Sequence, residues 1–338
     1  MSRYSRQELF AGIGQDGQKR IRASRVLVVG CGALGSALAE MMVRAGVGEL
    51  DVVDRDLVEE SNLQRQSLFE ESDARDRLPK AVAAERRLRR LNGDVKVRGL
   101  MADVAPDNAP ELIRGRTLVL DGTDNFETRF LVNDLAVRER VPWVYGACVA
   151  AYGLALLVRP GVTPCLRCLL EELPPAGSGP TCDTAGVVAP IVHVISGIQA
   201  AEALKLLAGK TEALLGGLAT VDLWEGRFDV LDLRGRAPSC PACTEGRFDY
   251  AQADPGAGAV LCGRGAVQVR AARTGVPLDL DALARRLSAA GEVSRHEYLV
   301  RFVAPEAELV VFEDGRALIK GVSGVSQARS LYAKYIGS

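Results

Sequence analysis

Residues 25–30 (RVLVVG) are apolar after the first position, as a strand buried on both faces of a parallel sheet must be. Gly30-Cys31-Gly32-Ala33-Leu34-Gly35 follows at once, and Leu34 to Ala45 is then apolar at helical spacing. A G-x-G-x-x-G between strand and helix permits a tight turn and a close approach to phosphate at the helix N-terminus. Asp54, about 20 residues on, can accept hydrogen bonds from ribose hydroxyls. This feature alone implies a nucleotide, with NAD the default, so an NAD(P)-dependent oxidoreductase is the first rival to weigh.

The alternation continues along the chain. Strands are expected at 49–54, 95–99, 117–121 and 143–147, with helices at Lys80 to Leu91 and Phe126 to Glu139. That order predicts an α/β, Rossmann-like, mostly parallel sheet. Segments 152–158, 219–223 and 227–233 read as strands without crossover helices, which predicts an antiparallel extension. Glu172 to Thr184 is rich in Pro and Gly and reads as a flexible surface loop. The expected layout is a domain at 1–248, a linker at 249–258 and a small α+β C-terminal domain at 259–338. That last module should hold strands at 266–270, 297–303 and 308–312, a further short strand, and helices at 280–289 and 325–335.

Composition excludes more than it selects. With 338 residues and a formal net charge of −1, the chain has no global field for nucleic acid or anionic lipid, so no nucleic-acid partner is expected. The start, MSRYSRQE, lacks the apolar core of a signal peptide. The weakly polar run Ala185 to Ala201 contains Pro190, His193 and Gln199 and is shorter than a membrane span, so a buried helix is expected there. A cytoplasmic protein with no membrane partner follows as the expectation.

Two segments move the reading away from NAD. Ser61-Asn62-Leu63-Gln64-Arg65-Gln66, followed by Lys80, supplies cations that a triphosphate needs and NAD does not. The alternative for these residues is a solvated polar loop. Asp121-Gly122-Thr123-Asp124-Asn125 closes an apolar strand, where open α/β sheets face their ligand crevice. A carboxylate there can hold Mg²⁺ against phosphate oxygens. The alternative is a cap for the helix from Phe126, provided by Thr123 or Asp124.

Of eight cysteines, four form two C-x-x-C pairs, Cys165/Cys168 and Cys240/Cys243. Each such turn presents two sulfurs to one ion, so the four together predict a closed, structural zinc site that staples the ends of a long insertion. Cys182 lies on the Pro/Gly-rich loop, where a thiol either attacks an activated acyl group or is inert. Cys31 and Cys148 are expected in the core, and Cys262 belongs to no recognisable sulfurtransferase loop. His193, flanked by Ile and Val, is expected to be a core histidine. With His296 the only other histidine, a His-based general-base mechanism has little to stand on.

Arg3-Tyr4-Ser5-Arg6-Gln7, the GCGALG loop, Asp54-Arg55-Asp56, SNLQRQ, Lys80 and GTDN together resemble the ubiquitin-activating-enzyme-like adenylyltransferases of the MoeB/ThiF/HesA family, from Arg3 to about Arg247. The resemblance implies ATP-dependent adenylylation of the C-terminal Gly-Gly carboxylate of a ubiquitin-like sulfur-carrier protein, as in molybdopterin and thiamine sulfur transfer. It implies ATP, Mg²⁺ and Zn²⁺ as cofactors. It implies nucleotide contacts from Gly30, Gly32, Ala33, Gly35, Asp54, Asp56, Ser61, Asn62, Arg65, Lys80, Asp124 and Asn125, with Asp124 holding Mg²⁺ and essential for adenylylation. Arg65 and Lys80 would neutralise phosphate, and Arg6 would act on the nucleotide of the partner subunit in a homodimer. Cys182 matches a cysteine that some branches use covalently and others do not need. Ala33 stands where the family often has Gly, which narrows the loop slightly.

No rhodanese-like signature follows the core, so a separate sulfur donor, a cysteine desulfurase or rhodanese-like protein, is expected. The further rivals are a tRNA-modifying member of the same superfamily, disfavoured by the near-neutral charge, and a non-catalytic binding protein, disfavoured by Arg6, Arg65, Lys80 and Asp124 occurring together. The role of the C-terminal domain is open at this point.

Overall fold

Each apolar run before Ala150 becomes a strand, and each helical-period segment becomes the crossover behind it. The computed structural model describes residues 2–174, 182–233, 239–252, 258–261, 266–269 and 277–337. They divide into two compact units, Met1–Ala253 and Asp254–Ser338.

The first unit opens with α1 (Ser5–Leu9) and α2 (Gly14–Arg22), then β1 (Arg25–Val29), α3 (Ala33–Ala45), β2 (Glu49–Asp54), α4 (Glu71–Arg75), α5 (Lys80–Leu91) and β3 (Lys96–Met101). It continues with α6 (Ala109–Ile113), β4 (Leu118–Asp121), α7 (Phe126–Glu139), β5 (Trp143–Val149), β6 (Tyr152–Val158), α8 (Cys182–Ala185), α9 (Ala189–Leu207), β7 (Gly217–Asp222) and β8 (Arg227–Asp232). One sheet runs β3-β2-β1-β4-β5-β6-β7-β8. Its first five strands pair in parallel and the last three extend it antiparallel. The strand order reverses at β1, between β2 and β4, so the crevice beyond the ends of β1 and β4 is the topological switch point. Val29 lies in register with Val53 on one side and Asp121 on the other, which brings Gly30, Asp54 and Gly122 to one rim.

Two apolar layers sandwich this sheet. One carries Leu38, Met42, Val28, Leu50, Leu120, Ile191 and Ile195; the other carries Leu27, Val119, Phe130, Leu135 and Trp143. Helix α9 is longer than the run that predicted it. By length and apolarity alone it could cross a membrane, yet Ile191, Val192, Ile195, Gln199, Glu202 and Ala203 are buried in the fold. Its polar buried residues mark it as a core helix. His193, expected in the core, is instead exposed, because the buried stripe runs through 191, 192, 195 and 199 and leaves 193 on the opposite face.

Asp249 to Ala251, expected in the linker, form a short 3₁₀ turn tied to the first unit. Tyr250 packs edge-on against Phe130, its N–H donates to Asp134, and Ala251 is buried. The second unit holds β9 (Gly258–Leu261), β10 (Ala266–Val269), α10 (Leu280–Leu287), β11 (Glu292–His296), β12 (Leu299–Val303), β13 (Glu308–Phe312), β14 (Ala317–Lys320) and α11 (Val325–Tyr335). Its antiparallel sheet runs β11-β12-β13-β14-β10-β9. Leu280, Leu283, Leu287, Ala328, Leu331 and Tyr332 from the two helices pack with Val267, Val300, Phe302, Leu309, Val311 and Ile319. β9, of which only Gly258 lies in the expected linker, is a strand that was not expected. Cys262 and residues 175–181 of the Pro/Gly-rich loop lie outside the described residues, as does the side chain of Cys182, which opens α8.

Candidate functional site

The glycine loop and the loop after β4 interlock. Gly30 adopts φ +83°, a conformation that favours glycine. A Cβ on Gly35 would lie 1.8 Å from the Gly30 carbonyl oxygen, and one on Gly122 would meet that oxygen at 2.4 Å and Gly35 Cα at 2.6 Å. No side chain fits at either position, so the two loops meet backbone to backbone. Gly32 differs. A Cβ there would find only Gly122 O at 3.7 Å and Gln66 Nε2 at 4.0 Å, so the open space belongs to the crevice and not to protein packing. Gly32 also precedes the N-terminus of α3, where backbone N–H groups carry the positive end of the helix dipole.

Charged groups converge on this rim from three loops. Asp54, buried at the end of β2, accepts from the Cys31 N–H at 2.6 Å and from the Asp56 N–H at 2.6 Å. It therefore fastens the glycine loop to β2. Burial pushes its carboxyl above the usual range, Lys80 opposes the rise and Asp56 reinforces it. Lys80, only 3% exposed, sits at the start of α5, which docks on the β2 exit through the bond from Lys80 N–H to the Asp56 carbonyl at 2.8 Å. Its Nζ lies 3.5 Å from Asp56 Oδ2. Arg55 pairs with Asp103 at 3.0 Å and stands 3.9 Å from Asp56. Burial alone would lower its affinity for a proton, but Asp103, Asp56 and Asp124 raise it, so Arg55 stays a cation.

The loop after β4 is held from below. Asp121 Oδ1 accepts from the Thr123 N–H at 2.9 Å and from its hydroxyl at 2.7 Å. Arg129 donates to Asp121 Oδ2 at 3.1 Å, to Thr123 O at 2.7 Å and to Gly146 O at 2.9 Å. Gln199 donates from α9 to Asp121 O at 3.0 Å and to Val144 O at 3.2 Å. Helix α7 is capped by Asn125, whose Oδ1 accepts from the Thr128 N–H at 2.8 Å. Neither Thr123 nor Asp124 has the capping role weighed for it. Asp124 is exposed and makes no hydrogen bond or ion pair among the described residues.

The segment SNLQRQ lies beside the glycine loop. Ser61 and Asn62 are in a 3₁₀ turn (Glu60–Asn62), with Ser61 exposed and Asn62 buried. Arg65 Nη1 donates to Ser61 O at 2.9 Å. Asn62 Oδ1 and Gln66 Oε1 are buried without a hydrogen-bond partner among the described residues. Each such atom costs about 1–3 kcal/mol unless a donor from outside the chain meets it. Ala33 begins α3 and its carbonyl accepts from the Ser36 hydroxyl at 3.1 Å. Cys31 is fully buried, and burial followed by the Asp54 charge pushes its thiol up, so it is no thiolate nucleophile. Cys148 is half-buried and its Sγ contacts Ile191 O.

Arg6 is placed elsewhere. It lies on α1, whose Gln7 donates to Ala45 O at 3.0 Å, at the far end of α3. The 13 residues of α3 span about 20 Å, so within one chain Arg6 sits a helix length from the glycine loop. Beside it Leu9 and Phe10 are 73% and 65% exposed.

Cys165, Cys168, Cys240 and Cys243 come together with all four sulfurs within 4.8 Å. Measured pairs are 3.7 Å for Cys165–Cys240, 3.8 Å for Cys165–Cys168 and 3.4 Å for Cys168–Cys243. Sulfurs about 2.3 Å from a central zinc ion stand about 3.8 Å apart in a tetrahedron, so the set fits zinc. Hydrogen bonding from Cys168 pulls the Cys165 thiol down to about 5 against burial, with Asn133 assisting. Asn133 donates to Cys165 Sγ at 3.6 Å and accepts from the Leu166 N–H at 2.9 Å. Arg167, between the first two ligands, pairs with Asp134 at 3.3 Å and Asp249 at 3.1 Å. The cluster is thereby anchored to α7, the helix that begins two residues after Asp124.

Arg55, Gln66, Arg129 and Gln199 were given no role from sequence. Arg55 and Gln66 lie inside quoted motifs, but the partners of Arg129 and Gln199 are distant in sequence and leave no local signal.

The comparisons with known proteins agree with this geometry. Residues 4–242 match the model of the ThiF family. The chain is 49% identical over 338 residues to the sulfur carrier protein ThiS adenylyltransferase of Bacillus subtilis, covering 99% of each. It is 42% identical to the SAMP-activating enzyme E1 of Haloferax volcanii, over 74% of this chain and 91% of that one. Among solved structures, E. coli MccB with ATP superposes with a TM-score of 0.62 at 23% identity, covering 72% and 74% of the two chains, a likeness of fold. The chain belongs to the ThiF family.

Proposed function

We propose that this protein adenylylates the C-terminal carboxylate of a ThiS-like sulfur-carrier protein with ATP, giving an acyl adenylate and pyrophosphate. The observation that carries this reading is the gathering of Lys80, Arg55, Asp54, Asp56 and Asp124 beside the glycine loop, with Asp54 bonded to the Cys31 N–H, Lys80 3.5 Å from Asp56, and Arg55 in the field of all three carboxylates. A dinucleotide needs no such set of charges, whereas a triphosphate does. The names of the two relatives above, at 49% and 42% identity, support the same activity.

The attacking carboxylate is already ionised at neutral pH, so no general base is required. The work lies in alignment and in neutralising the departing pyrophosphate. In this reading Gly32, Ala33 and Gly35 present backbone N–H groups to phosphate, and Asp54 and Asp56 face the ribose. Gly30, whose own N–H donates to the Val53 carbonyl at 2.8 Å, makes the turn that lets the chain approach the phosphate. Ser61, Asn62, Arg65 and Lys80 take the outer phosphates. Asp124, exposed and relieved of capping by Asn125, would hold Mg²⁺, which when bound supplies positive charge to the triphosphate. A diglycine tail suits a narrow channel beside the α-phosphate, because it carries no side chains.

The protein works as a homodimer in this reading. Arg6 is a helix length from its own glycine loop, and the neighbouring exposed Leu9 and Phe10 offer an apolar contact to a second copy. Zinc in the Cys165/Cys168/Cys240/Cys243 site is structural, since four protein sulfurs leave no open position. Cys182 is a candidate acceptor for sulfur or the acyl group, with a separate cysteine desulfurase or rhodanese-like donor. The compartment is the cytoplasm, and the second unit docks carrier or donor. ATP–pyrophosphate exchange with diglycine-tailed carriers tests the central step.

A further inference from the structure

Asn133, on α7, is fully buried and takes no part in the nucleotide chemistry. Its amide makes two bonds to the first cysteine turn. Nδ2 donates to Cys165 Sγ at 3.6 Å, and Oδ1 accepts from the Leu166 N–H at 2.9 Å. Among the described residues, no other side chain outside the four cysteines donates to one of their sulfurs. Arg167 stands between the first two ligands, yet its guanidinium bonds Asp134, Asp249, Glu171 O and Arg247 O and no sulfur. The donor therefore reaches Cys165 from a different element of the fold. Cys165 is 1% exposed, out of reach of water, whereas Cys243 is exposed and has solvent for its donors.

Four thiolates around a dication leave net negative charge, and on a buried sulfur that charge is costly unless a donor meets it. A hydrogen bond to an ionised acceptor is about twice as strong as a neutral one. We infer that Asn133 is a positioning residue of the zinc site, whose N–H stabilises the charge on metal-bound Cys165 and so tightens zinc binding. This inference rests on the zinc reading above and adds a residue to it. The two bonds of the amide act differently. The bond from Leu166 fixes the backbone of the turn, while the bond to Cys165 lowers the energy of the sulfur lone pairs.

The test uses the full-length protein loaded with zinc, or with cobalt(II), which reports on sulfur ligands through a sulfur-to-metal charge-transfer band. Asn133→Asp keeps the acceptor for the Leu166 N–H and removes the donor; Asn133→Leu removes both. At about pH 9, with the aspartate ionised, each variant is expected to bind zinc about ten- to a hundredfold more weakly in competition with a chelator. Each should also move the charge-transfer band to longer wavelength while the ligand-field bands stay tetrahedral. A merely structural role would not move that band. If Asn133→Asp fails to fold, Asn133→Leu carries both measurements. Wild-type affinity and band position in Asn133→Asp overturn the inference, because the amide would then serve only the turn. An unshifted band in Asn133→Leu overturns it as well. If wild type itself takes up neither zinc nor cobalt, the zinc reading falls first, and the two failures are thus distinguishable.

Discussion

The Arg129 guanidinium, buried between the rings of Phe126 and Tyr145, is 3.1 Å from Asp121 Oδ2 and bonds the carbonyls of Thr123 and Gly146. One side chain therefore sets the path of the backbone immediately before Asp124. Removing one partner of a buried ion pair leaves the other charge uncompensated. Arg129→Met is expected to lose about 3–5 kcal/mol of stability in urea denaturation. Arg129→Lys keeps the charge but cannot reach three acceptors, so it should fold while its Mg²⁺ requirement in turnover rises. A lysine variant with wild-type metal dependence contradicts the positioning role.

The cysteine cluster gives a second expectation. Because Asn133 and Asp134 bind it to α7, losing the metal should disturb the helix that begins beside Asp124. Cys240→Ser should purify with less than one zinc per chain, unfold at lower temperature, and lose exchange activity along with stability. Zinc content by atomic absorption and thermal melting with and without a chelator check this. Full stability in a zinc-free protein would contradict a structural metal.

Much of this architecture was legible in the sequence. Helices α5 and α7 and strand β6 have the expected ends, because each is bounded by a sharp change of character. The four sulfur ligands were legible because C-x-x-C spacing is itself the geometry of the site. The failures have physical causes. β11 is an edge strand, Glu292–His296, whose residues are half-buried at most, so it has no apolar alternation to read. β9, Gly258–Leu261, is only four residues long and begins at the end of a Pro/Gly-containing stretch, too short a run to read as a strand. His193 looked like core because its neighbours are apolar, but helical phase, not neighbourhood, decides which face is buried. Arg129 and Gln199 act through partners brought together only by the folded sheet.

Asp51 on β2 provides a pH test. Burial alone would raise its carboxyl, but hydrogen bonds from Arg98, at 2.6 Å, and from Arg116 outweigh burial and hold it below the usual carboxylate range. A lowered folded value means stability that is present above the unfolded value of about 3.9 and is lost as pH falls through the folded one. Asp51→Asn should therefore be about 3 kcal/mol less stable than wild type at pH 7, with the gap narrowing only below about pH 4. Urea titrations at pH 7 and pH 3 measure it. A gap that is the same at both values contradicts the assignment.

The proposed sharing of the site between two copies makes a prediction about mixtures. Arg6→Ala and Asp124→Ala are each expected to be inactive, yet a heterodimer of the two contains one site with both residues intact. Random reassociation of equal amounts should restore roughly a quarter of wild-type activity, given cyclic two-fold dimers. Subunit exchange confirmed by native mass spectrometry without any recovery would place Arg6 outside the site.

Carrier-dependent ATP–pyrophosphate exchange probes the account at its centre. With a ThiS-like carrier ending in Gly-Gly, wild type should catalyse exchange, and a carrier lacking the terminal glycine should not support it. Asp124→Ala should lower the rate by at least about a hundredfold, in line with the loss of a group that organises transition-state charge, while the protein stays folded. Exchange that needs no carrier, or that survives in Asp124→Ala, would contradict the account.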